Sequence, residues 1–126
     1  MKIFLWIVQV VLAAVFLMAG AAKAFSPIEE LIPSMAWMAD VPAGLIRFIG
    51  WAEIVGAIGL ILPAAFRIKP NLTPLAAAGI STIMVLAAGF HVTRGEMGDV
   101  MRNVVLLAVA LFVVYGRLKK APIQPR

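Results

Sequence analysis

A carboxylate in the middle of an apolar run is the feature of this 126-residue chain best suited to chemistry. Glu53 lies within AGLIRFIGWAEIVGAIGLIL, which also carries Arg47 near its start. Ionisable groups in such surroundings are expensive and face a bundle interior, a cavity or a proton path. Gly50, Gly56 and Ala57 share the helical face of Glu53, and small neighbours let another helix come close. Lys23, His91, Arg94, Glu96, Arg102 and Asn103 stand at or near the ends of other apolar runs. Gathered at one end of a bundle, they form a polar pocket for a small headgroup or a quinone, or a proton pathway. Glu53, Asn103, Arg94, His91, Arg47 and Lys23 are the candidate ligand-binding residues. The plainer reading of the same set is an ion-pair and hydrogen-bond network that pins helices together. On that reading His91 caps a helix end, Lys23 snorkels to the interface and Gln9 bonds between helices. Trp6, Trp37 and Trp51 and the seven methionines then pack or sit at the headgroup level.

Several chemistries are excluded. The chain has no cysteine, which removes disulfides, thiolate metal sites, Fe–S clusters and cysteine nucleophiles. A single histidine cannot build a multi-histidine zinc site. No phosphate-cradling loop, Ser–His–Asp set or metal-ligand cluster is readable, so no metal, no resident cofactor beyond a quinone or lipid, and no independent enzymatic activity are expected. The net charge of +5 comes without a basic stripe interleaved with aromatics, which argues against nucleic acid.

The elements that must position these residues are membrane spans. The hydrophobic share is 63% and the mean hydropathy +1.04, against about 45–50% apolar residues in soluble domains. Apolar runs at about 3–22, 43–62, 72–90 and 100–115 match the roughly 20 residues that cross the hydrocarbon core. The first run exceeds the roughly 7–15 residues of a signal-peptide core, so a retained helix is expected despite the Ala22-Lys23-Ala24 sequence. The cost of Glu53, about 2.5–3.5 kcal/mol at a span centre, is balanced by neighbours that each return about 0.3–0.6 kcal/mol. Pro63 is expected to end the second span, and Gly116 to cap the fourth. Gly79, Ser81 and Thr82 are expected to allow close contact along the third. Ser26-Pro27-Ile28-Glu29 reads as an N-cap with proline at N1. It opens a short amphipathic piece in the 23–42 loop that carries Ile28, Leu31, Ile32, Met35, Trp37 and Met38. The fold class is therefore all-α, a single membrane domain forming a four-helix bundle.

Lys2, Arg67, Lys69, Arg117, Lys119, Lys120 and Arg126 fall on one side of such a bundle, seven of eleven basic residues, and no acid joins them. By the positive-inside rule both termini are cytoplasmic, in the inner (cytoplasmic) membrane.

The segments MAGAAKAF, RFIGWAEIVGAIGLILP, GFHVTRGE and RNVVLLAVALFVVYGR resemble, in that order, the DoxX and DoxX-like family of small four-helix membrane proteins. The resemblance covers nearly the whole chain. Its most specific parts are G-x-x-E-x-x-G-x-x-G-L around Glu53 and N-x-x-L-L-A-x-A from Asn103, closing with Gly116-Arg117. The family's polar signature falls at Lys23, Glu53 and Asn103, with the variable His91 and Arg94 region between. The resemblance implies an accessory membrane subunit or assembly factor beside an oxidoreductase, DoxX being named for a subunit associated with thiosulfate:quinone oxidoreduction. Three functions are thus expected to compete. One is an accessory subunit with a quinone or lipid pocket at Glu53. Another is a chaperone-like protein gripping a partner's helices. The third is a small transporter, for which four helices require a homodimer.

Overall fold

The computed structural model describes residues 1–125; Arg126, counted above among the basic residues, lies outside them. Four long helices dominate: α1 (Lys2–Phe25), α3 (Ala43–Phe66), α4 (Leu72–Thr93) and α5 (Met97–Tyr115). A short helix α2 (Ile28–Leu31) and a 3-10 turn (Ala36–Asp40) lie between α1 and α3, and a π-helical turn (Gly116–Lys120) follows α5. The four long elements are long and apolar enough to cross a membrane. At most 33% of any span is buried within the protein. The remainder, including Ile3, Met18, Phe48, Val55 and Leu86, is an exposed apolar surface suited to lipid. The chain is an all-α four-helix bundle and a multi-pass membrane protein.

The core runs along the bundle axis through Leu12, Phe16, Leu60, Ile80, Met84, Ala110 and Val113. In lipid, close packing and interhelical hydrogen bonds replace the hydrophobic effect as the force between helices. α1 and α3 approach most closely at glycines: a Cβ on Gly50 would lie 2.6 Å from the Ala24 nitrogen, and one on Gly20 2.7 Å from the Gly50 oxygen. Gly56 meets Ile80 of α4 instead. The expectation for α4 needs correction: Ser81 is buried, whereas Gly79 and Thr82 face outward and bring no helix close. Ser81 and Thr82 bond back to the carbonyls of Ala77 and Ala78.

Three other local expectations are overturned. Pro63 does not end its helix, which continues to Phe66. A proline removes one backbone donor and strands the carbonyl four residues earlier. That carbonyl, of Gly59, accepts a hydrogen bond from the Thr73 hydroxyl of α4 at 3.1 Å, and the next, of Leu60, accepts from Gln9 Nε2 of α1 at 2.8 Å. Neighbouring helices thus satisfy the backbone that the proline disturbs. The helix stops at Arg67, whose left-handed φ of 57° closes it just before Lys69 and Pro70. Gly116 is no left-handed cap, since at φ −61° the chain runs on into the π turn while Gly116 takes Leu5 against its backbone. Ser26 ends α1 rather than capping α2, and Pro27 holds the cap position of α2.

The two ends of the bundle differ in charge. One holds the start of α1, the α3–α4 turn and the π turn after α5, with Lys2, Arg67, Lys69, Arg117, Lys119 and Lys120. The Arg67–Gln124 and Gln9–Arg117 hydrogen bonds tie it together. The other, acidic end holds the α1–α3 segment and the α4–α5 turn, where Glu29, Glu30, Asp40, Glu96 and Asp99 lie. There Trp37, Met38 and Ile46 pack with Ile28, Leu31, Ile32 and Met35, so the amphipathic segment roofs the bundle.

Candidate functional site

The polar residues converge under this roof. Glu53, 3% exposed, takes Lys23 Nζ of α1 on Oε1 at 2.9 Å. Lys23 is therefore not a snorkelling residue: it ends α1 at a depth where Gly20 and Gly50 let α3 come close enough for the ammonium to reach the carboxylate. Arg47, one and a half turns earlier on α3, points elsewhere. Its Nη1 donates to the carbonyls of Lys23 at 3.1 Å and Ser26 at 2.6 Å. These belong to the otherwise unpaired last carbonyls of α1, so Arg47 holds the end of α1 and with it the base of Lys23.

His91 ends α4 with its ring buried edge-on to Trp37 and Phe90, at 5.8 and 5.4 Å between centroids. Its Nδ1 meets Glu96 Oε1 at 2.8 Å across a turn closed by Gly95 at φ 72°. Arg94 bridges Asp40 of the roof at 2.8 Å and Glu96 at 3.0 Å. The hydrogen bonds that it donates to Asp40 and Glu96 hold the Arg94 guanidinium above its ordinary pKa. The His91 ring, and after it Arg94, hold the Glu96 carboxyl below the usual range. Arg94 is thus a latch between roof and turn rather than a pocket residue. The same turn brings His91, Glu96 and Asp99 ligand atoms within 4.8 Å of one another, a grouping that the sequence spacing did not reveal. Each carboxylate there is already held by an arginine, Asp99 by Arg102 at 2.8 Å.

Between the α1–α3 pair and the α4–α5 pair lies a cavity of about 600 Å³. Its polar lining is Lys23, Glu53, His91, Arg102 and Asn103; the rest is apolar, with Phe16, Met84 and Trp37 prominent. Of the six candidate binding residues, four line it (Glu53, Asn103, His91 and Lys23), and Arg47 and Arg94 do not. The Asn103 side-chain amide is buried and its Nδ2 has no hydrogen-bond partner among the described residues. A cavity with apolar walls and a few convergent polar groups is the usual form of a small-molecule site.

Sequence reading missed a second buried polar group. Arg117, expected as a basic residue at the span end and as the close of the family-like motif, is 4% exposed. Its Nε donates to Gln9, Nη1 donates to the Ala121 carbonyl at 2.9 Å, and Trp6 lies against the guanidinium. An arginine directly after an apolar run, with a glutamine inside the first span, was the signal available. Trp37, expected to pack or to sit at the headgroup level, packs in the roof.

A sequence model of the DoxX-like family matches residues 7–113, most of the chain and all the residues lining the cavity. Neither the curated proteins nor the solved structures contain a match to the chain.

Proposed function

Because the chain belongs to the DoxX-like family, we propose that it serves as an accessory subunit of a membrane oxidoreductase system whose cavity takes a quinone or another lipid. The observation that carries this reading is the cavity itself. It lies at span depth beneath the roof, and a paired carboxylate and an unpartnered amide project into it from opposite helix pairs. Unpaired buried donors are uncommon in folded proteins and call for an explanation, which a bound molecule supplies. The chain's lack of cysteine makes electron transfer by this subunit alone a poor fit, so oxidation chemistry is assigned to a partner.

The test is mass spectrometry of small molecules that co-purify in mild detergent with the wild type and with Glu53→Gln. A quinone or a defined lipid present with the wild type and depleted with the variant supports the pocket. Identical bulk lipid in both removes it. One observation favours a second reading: the Lys23–Glu53 pair is complete without a ligand. A subunit that only assembles others would use it as a pin, and crosslinking would then recover a partner in native membranes while the pocket stays empty.

We further propose that both termini face the cytoplasm, in the inner membrane, on the strength of the charge division between the two ends. With no native cysteine, single cysteines at Lys69 and at Asp99 can be labelled cleanly in intact cells. Labelling of Lys69→Cys from outside would reverse the assignment.

A further inference from the structure

The polar groups around the cavity are not equivalent. Lys23 is answered by Glu53 at 2.9 Å, Arg102 by Asp99 at 2.8 Å, and His91 Nδ1 by Glu96 at 2.8 Å. Each charge facing the cavity has a partner on the protein. Of the residues lining the cavity, Asn103 alone has a fully buried donor without a partner; the other such donor among the described residues, Arg117 Nη2, lies at the basic end. An anionic headgroup would bring an unbalanced charge into apolar walls, which is costly. A neutral acceptor would satisfy the amide and leave the charge balance untouched. Access also has a direction. Val15, Leu45, Phe48 and Leu86 line the cavity and are 40%, 48%, 69% and 69% exposed on spanning helices, where the surroundings are lipid. Trp37 and Met35 of the roof close the cavity toward the acidic end.

Building on the reading of the cavity as a ligand site, we propose that its occupant is an uncharged lipid-soluble molecule that arrives sideways from the bilayer and docks a carbonyl or ester oxygen on Asn103 Nδ2. Asn103 is then the group that sets headgroup specificity. The Lys23–Glu53 pair supplies a polar wall with no net charge. Phe16 and Met84 contact the apolar body, and the chain leaves past Phe48 or Leu86 into lipid.

Three photoreactive probes with the same hexadecyl chain decide the matter, ending in a methyl ketone, a carboxylate or nothing. They are applied to the full chain in zwitterionic nanodiscs, and labelled peptides are read by mass spectrometry. The ketone probe is expected to label cavity-lining peptides of α3 and α4 about ten-fold more efficiently than the hydrocarbon probe, the worth of one well-placed hydrogen bond. Asn103→Leu should reduce the ketone to the hydrocarbon level, and Asn103→Ser, which keeps a donor, should recover part of the difference. If Asn103→Leu does not fold, the headgroup comparison on the wild type still decides. Equal or stronger labelling by the carboxylate overturns neutral recognition while leaving a ligand pocket in place, and so does ketone labelling untouched by Asn103→Leu. Failure of all three probes to label the cavity removes the pocket reading itself.

Discussion

Lys23 and Glu53 show how a carboxylate survives at span depth. Neither partner is tolerable alone, because breaking a buried pair leaves an uncompensated charge, at a cost of about 3–5 kcal/mol. Together they leave only modest net stabilisation, since desolvation consumes much of their attraction. A double-substitution cycle follows from this. Lys23→Met alone should lower stability in detergent by about 3 kcal/mol, and Lys23→Met with Glu53→Gln should recover most of the loss. Equal losses in single and double variants, read from denaturant midpoints, would mean that the two side chains do not meet. Gln9 plays the matching part at the basic end. Its amide uses both faces, Nε2 on the Leu60 carbonyl and Oε1 on Arg117, and so joins α1, α3 and the π turn through one side chain. Among the described residues the charge it touches has no acidic side chain nearby, since those lie at the other end or at Glu53.

Helix pairs are set by where side chains are absent. Gly20 and Gly50 press α1 on α3 backbone to backbone, and that closeness lets Lys23 reach Glu53. Gly50→Ala would drive a methyl group into the Ala24 nitrogen and the Lys23 carbonyl carbon, neither of which can yield as a flexible side chain would. The expected cost is about 1–3 kcal/mol, typical of overpacking, together with loss of ligand retention as the pair is pushed apart. Gly79→Ala is the control. Nothing lies within 4 Å of its added Cβ, and the helix gains propensity of up to about 1 kcal/mol. Thermal unfolding of the two variants should move in opposite directions; a Gly50→Ala protein as stable as the wild type would refute the close α1–α3 seam. The Pro63 stretch obeys the same logic, with Thr73 and Gln9 taking carbonyls on α3 at and beside the site the proline disturbs.

The bundle as a whole is two tight helix pairs with a cleft between them, roofed at the acidic end. The roof is held by few bonds: Arg94 joins Asp40 to Glu96, and Glu96 joins His91. Glu96 titrates below the usual carboxylate range because its ionised form is bonded by His91 and Arg94. A depressed carboxyl pKa stabilises the folded arrangement fully above the unfolded value, about 4.3. That contribution is lost as pH falls through the folded value. The latch is therefore expected to hold from neutral pH down to about pH 4 and to open below it. Trp37 fluorescence, in a Trp6→Phe and Trp51→Phe background, should report the opening. Glu96→Gln should remove the acid step. An opening already complete near neutral pH would assign the latch to other groups.

The amino-acid sequence settled the solvent. Four apolar runs of bilayer length, with basic residues divided from acidic ones, follow from composition and order alone, because lipid admits few backbone structures. It also singled out Glu53, Lys23, Asn103 and His91, since polar atoms stand out in an apolar background. Their pairing was a different matter. That Lys23 meets Glu53, that Arg47 grips carbonyls of α1 instead, and that Arg94 bolts the roof depend on depth and rotation of one helix against another. Those are fixed by glycine contacts thirty residues apart in the chain, such as Gly20 with Gly50. Pro63 looked like an end because local rules see only its missing donor, while the groups that compensate arrive from α1 and α4. The unpartnered amide of Asn103 was equally invisible, for an empty hydrogen bond exists only once every neighbour has been placed.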